Sequence, residues 1–165
     1  MGKNRNSGIG KRAERAIAEI LTKITGLVFM RNPYSGSAHA WGYIKELRQR
    51  GDVICKDTSF NYSISSKRIK DFKLESLLRG SKEVLDHWDE CVSDANQDSK
   101  TPLLVITQWR GERIAIMCAD DVKNKKAIES SKSNVLTARF FSAYATEVII
   151  MRLQLWAKFY KDGFV

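Results

Sequence analysis

The stretch that decides the fold is "GDVICKDTSFNYSISSK", Gly51 to Lys67. "GDVICK" (51–56) and "NYSISSK" (61–67) read as two strands, the second alternating at Tyr62, Ile64 and Ser66, with a polar turn between them. An aspartate, Asp52, opens the first strand and a lysine, Lys67, closes the second. Singly, Asp52 reads as a turn residue and Lys67 as a solvated basic edge. Together with Glu14 on the preceding helix they suit phosphodiester chemistry. A hard cation takes carboxylate oxygens, and a lysine orients the attacking water and offsets developing charge.

The flanking segments set this pair in a mixed sheet. Upstream, "MGKNRNSGIG" (1–10) reads as a flexible basic arm. An amphipathic helix follows over about 11–25, with Ala13, Ile17, Ile20, Leu21 and Ile24 at helical spacing and Gly26 as its stop. "LVFMR" (27–31) is a short strand, and "RNPYSGSAHAWG" (31–42) a loop. Downstream, a helix from about 74 carries Leu74, Leu77 and Leu78. Another from about 81 carries Val84, Leu85, Trp88, Cys91, Val92 and Ala95. "TPLLVITQW" (101–109) is a buried strand and "GERIAIMC" (111–118) its hairpin partner. Residues 119–135 are a polar loop or short surface helix, "ATEVIIMRL" (145–153) a last strand and "QLWAKFY" (154–160) a closing helix. The order predicts one domain, an α/β or α+β sandwich around a mixed sheet.

The 165 residues suffice for one sizeable core, and 43% hydrophobic content argues against disorder. No run is apolar enough to span a membrane and the N-terminus has no signal-peptide core, so a cytoplasmic protein is expected. Cys55, Cys91 and Cys118 are too scattered for structural zinc or a disulfide framework. The net charge of +9 implies a polyanionic partner, most simply nucleic acid. Basic residues gather in the arm and first helix (Lys3, Arg5, Lys11, Arg12, Arg15), before Asp52 (Lys45, Arg48, Arg50) and after the second strand (Lys67, Arg68, Lys70).

Glu14 lies about 20° from Leu21 around the first helix, and so points near the apolar face. A carboxylate placed there needs a partner: Arg15, Lys11 or a metal. His39 and His87 have no metal-ligand spacing, and His87 reads as a surface or packing residue. Trp88, Trp109 and Trp156 read as core, whereas Tyr34 and Trp41 share the 31–42 loop.

"GIGKRAERAIAEIL", "RNPYSGS", "GDV", "FNYSISSK", "LESLL", "HWDECVSDA" and "TPLLVI" stand in an order that resembles the PD-(D/E)xK nucleases over about residues 8–118. The similarity is to Holliday junction resolvase-like proteins of bacteriophages and archaea. It implies a restriction-endonuclease-like α/β fold, a mixed β-sheet flanked by helices. It further implies Glu14 and Asp52 as ligands of Mg²⁺ (or Mn²⁺), Lys67 as the catalytic lysine, branched or duplex DNA as substrate and a homodimer. Arg31 and the Ser35–Ser37 loop would meet the DNA backbone, with Lys11, Arg12 and Arg68 as further contacts.

The departure is Ser65. Two residues before the lysine, where such nucleases carry Glu or Asp, this chain has a neutral hydroxyl. A ligand displaced to a neighbouring helix, for which Glu75 in "KLESLL" is the candidate, would restore the site. The site could instead have decayed, leaving a DNA-binding protein, or Ser65 could be an engineered exchange. If Ser65 stands at the ligand position, Ser65→Glu should raise Mg²⁺ affinity and cleavage. A third expectation, a basic RNA-binding or assembly module, would leave Glu14 and Asp52 apart or paired only with arginine.

Overall fold

Apolar side chains on alternate strand residues divide between two helical layers, and this division organises the molecule. In the computed structural model, residues 5–33, 50–69, 73–108, 112–131, 134–144 and 146–165 are described. The chain opens with α1 (Arg5–Thr25), β1 (Phe29–Arg31), β2 (Val53–Cys55) and β3 (Tyr62–Arg68). Helices α2 (Leu74–Leu78) and α3 (Lys82–Gln97) lead to β4 (Thr101–Thr107) and β5 (Arg113–Cys118). A 3-10 turn (Ala119–Asp121), α4 (Lys125–Ser130), β6 (Val135–Phe140), β7 (Thr146–Arg152) and α5 (Leu153–Lys161) complete it.

The sheet order is β1-β2-β3-β4-β5-β7-β6. Among the described residues, only β3 and β4 pair in parallel. Parallel neighbours need a long crossover, and α2 with α3 supplies it. In β4, Leu103 and Val105 pack in the core with Ile17 and Leu21 of α1 and Trp156 of α5. Leu104 and Ile106 pack in the opposite core with Trp88 and Cys91 of α3. Burial on both faces explains the continuous apolar run of this strand. The result is the expected restriction-endonuclease-like architecture, a mixed sheet flanked by helices. No helix among the described residues is long and apolar enough to cross a membrane.

Two boundaries differ from expectation. Helix α1 begins at Arg5, so the segment expected as an arm is helical from that residue onward. Gly8 and Gly10 take ordinary negative φ there, and each costs about 1 kcal/mol relative to alanine. The helix ends where expected, at Gly26, whose φ of +80° is left-handed. Strand β6 has no counterpart in the sequence pattern. It is an edge strand with no regular alternation of buried and exposed residues, so it lacks a period-two signal.

Candidate active site

The site begins where β2 enters the sheet. A Cβ at Gly51 would stand 2.9 Å from both the backbone N and O of Ile64, so only glycine allows this approach. The next residue, Asp52, donates its N–H to the Ile64 carbonyl at 2.7 Å, although Ile64 is registered with Val53. Two residues addressing one is the geometry of a β-bulge, which re-aims a side chain. Asn32 holds the turn from the other side. Its side-chain Nδ2 donates to the Gly51 carbonyl at 2.8 Å and its backbone N–H to the Asp52 carbonyl at 2.8 Å.

So positioned, the Asp52 carboxylate accepts the Ser66 N–H through Oδ2 at 2.7 Å. Burial pushes its pKa above the usual 3.8. The Ser66 bond and the charge of Lys67 oppose that rise, whereas the carboxylates of Glu14 and Glu90 add to it. Asp52 is therefore the point on which the charges of α1, β3 and α3 converge.

Glu14 is largely buried, as its place on the helix predicts, and pairs with Arg31 Nε at 2.5 Å. Its partner comes from β1 rather than from Arg15 or Lys11, which are exposed on α1. Lys67 Nζ lies 2.7 Å from Glu90 Oε2 on α3. His87, one turn earlier, places Nδ1 4.0 Å from the same oxygen. Burial, followed by the charge of Lys67, lowers the His87 pKa below 6.5, so the imidazole is neutral at pH 7. One turn beyond Glu90, Asp94 meets Arg50 Nη1 at 3.8 Å. The backbone N–H of Arg50 is held by Asp98 Oδ2 at 2.6 Å.

Ser65 is 5% exposed and stands close to the buried thiol of Cys91, beneath α3. Glu75 lies exposed on α2 and is not among the charges acting on Asp52. Of the expected DNA contacts, Lys11 and Arg12 are exposed and Arg68 is partly buried at the end of β3. Arg31 joins Arg15, Lys23, Phe29 and Met30 in lining a cleft of ≈ 680 Å³ between α1 and β1. Ser35 and Ser37 lie outside the described residues, as do Tyr34, His39 and Trp41.

Glu90 and Asn32 escaped the sequence reading, and His87 entered it only as a surface or packing residue. The spacing of His87, Glu90 and Asp94 by three and then four residues marks a polar stripe beside the apolar face of α3. That stripe was the available signal. Asn32 carries no pattern, because its role depends on a strand that arrives twenty residues later.

The donor set suits a hard divalent ion in kind. Among the described residues, Asp52 has one carboxylate oxygen with no hydrogen bond, and Glu14 and Glu90 act on it with like charge. Two cations, Arg31 and Lys67, offset those neighbours. Among the described residues, no three His, Cys, Asp or Glu side chains are gathered closely enough to hold a metal as they stand. Comparison with known families gives one match: the family model described as "Phage putative PDDEXK endonuclease" covers residues 5–165. No curated protein and no solved structure gives a match.

Proposed function

Because the chain belongs to this family of phage PDDEXK endonucleases, we propose that it is a metal-dependent DNA endonuclease that acts, as a homodimer, on branched DNA such as a four-way junction. The observation that carries the reading is Asp52: a carboxylate fixed by a bulge, raised in pKa by burial and by Glu14 and Glu90, with Lys67 beside it. Mg²⁺ or Mn²⁺, when bound, would polarise the phosphate and lower the pKa of water. Asp52 and Glu14 would hold it. Lys67 would orient the water and offset charge on the phosphate. Lys11, Arg12 and Arg15 on α1 supply phosphate contacts, with Lys23 and Arg31 along the adjoining cleft. The dimer and the branched substrate rest on the resemblance to junction resolvases, because two nicks across a junction need two sites.

A second reading, a DNA-binding protein with an impaired site, draws support from the neutral, buried Ser65. Family membership removes the expectation of a module unrelated to nucleases. Incubation with a four-way junction and Mg²⁺ or Mn²⁺, with linear duplex as control, separates the two. The endonuclease should nick the junction, leave the duplex largely intact and lose activity on Asp52→Asn. Binding without cleavage by the unmodified protein, in either metal, would establish the impaired site.

A further inference from the structure

We propose that Glu90 is the carboxylate the site lacks at position 65, and that Lys67 holds it until a divalent cation takes the place of the lysine. This rests on the endonuclease reading above and names a residue of that site. Three observations carry it.

The first is the position of α3. It crosses β3 at Ser65, which stands close to Cys91, the residue next to Glu90. A carboxylate on residue 65 would enter this 5% exposed space against α3. The same helix presents its own carboxylate to the lysine two residues along the strand. The helix thus brings an acid to the lysine without burying one at position 65, and the small Ser65 leaves room for the helix to lie there.

The second is the charge around Asp52. Glu90 acts on the Asp52 carboxylate, as Glu14 does, whereas Glu75 does not. Glu14 is engaged by Arg31. Asp52 and a Glu14 whose charge Arg31 offsets leave a divalent ion short of carboxylate oxygens, and Glu90 on α3 is an acid that can add one.

The third is the kind of contact Glu90 makes. Its side chain is 56% exposed and its bond is to the tip of a lysine, whereas Asp52 is anchored by a backbone N–H. A lysine–carboxylate pair open to solvent on its carboxylate side contributes little stability, so little opposes its release. Release of the pair would do two things together. It would turn Glu90 toward the ion and free the Lys67 ammonium for the phosphate.

The test is Mn²⁺ titration by calorimetry on the full-length protein, without DNA. Glu90→Gln should weaken binding at least about tenfold, and Glu75→Gln should leave it within twofold. Glu90 is exposed on α3, so the variant should keep its fold, and circular dichroism checks this. Lys67 itself gives a second readout, its labelling by an amine-reactive ester followed by mass spectrometry. Mn²⁺ should increase labelling of the unmodified protein, and Glu90→Gln should be labelled fully without metal. If Glu90→Gln binds Mn²⁺ like the unmodified protein while Asp52→Asn does not, Glu90 is only a salt-bridge partner and this inference fails with the endonuclease reading intact. If the unmodified protein binds no Mn²⁺ at millimolar concentration, both fail.

Discussion

Strands β3 and β4 lie side by side, each seven residues long, paired in parallel without a break from Tyr62↔Thr101 to Arg68↔Thr107. Both lie between the layer of α1 and that of α3. Toward α3, β4 presents Leu104 and Ile106, both fully buried. At the matching positions β3 presents Ser65 and Lys67. A strand that only builds the core fills this space with carbon. Its neighbour leaves it small and polar, gives up dispersion contacts and desolvates a hydroxyl. That loss is intelligible when the strand positions a lysine and makes room for a carboxylate from the helix.

The contrast is sharpest in stability. Leu104→Ala should cost about 2–5 kcal/mol in denaturant unfolding, since a fully buried leucine leaves a cavity. Ser65→Ala should cost less than about 1.5 kcal/mol, the most that the hydrogen bonding of a single hydroxyl is worth. Ser65→Glu belongs with the first: an ion forced beneath α3 should cost about 3 kcal/mol or more. This revises the expectation from sequence that Ser65→Glu improves the enzyme. A stable and more active Ser65→Glu protein would break the comparison, because its carboxylate would have to emerge beside Lys67.

Asp52→Asn probes the site half alone. Junction cleavage should fall at least about 100-fold. Stability should move the other way. The folded protein holds the Asp52 proton more tightly than the unfolded chain does, so ionised Asp52 is a burden at pH 7. The variant should therefore melt at a higher temperature at pH 7. Its advantage should shrink as pH falls through the raised pKa of Asp52 and vanish below 3.8, where the carboxyl is protonated in both states. A variant less stable at pH 7 would show that the Ser66 bond outweighs burial.

The smallest effect concerns His87. Lys67 lowers its pKa and Glu90 raises it. Lys67→Met should shift the imidazole titration, followed by NMR, upward, and Glu90→Gln should shift it downward. Titration unchanged in both variants would place His87 outside the electrostatic reach of the pair.

Much of the molecule was legible in advance because its signals are local. Ile17 and Leu21 recur at helical spacing, residues 101–107 form an unbroken apolar run, and the strand–turn–strand of 51–67 is written in adjacent residues. Glu14 could be turned toward the core by angle alone, and it lies there. Edge strand β6 was not legible, because neither face of it is uniformly buried and burial is what imposes alternation.

The candidate site divides in the same way. Sequence alone determined that an aspartate on one strand and a lysine on the next would stand beside each other, because strand pairing carries neighbouring segments together. It determined also that the usual acid was absent from position 65. Only the tertiary structure decided that Glu90, rather than Glu75, meets Lys67, that Arg31 rather than Arg15 meets Glu14, and that Ser65 lies beneath a helix. Each depends on how a helix lies across the sheet. That placement is set by the summed packing of Trp88, Cys91 and Val92 against Leu104 and Ile106. No spacing within a single segment encodes such a sum.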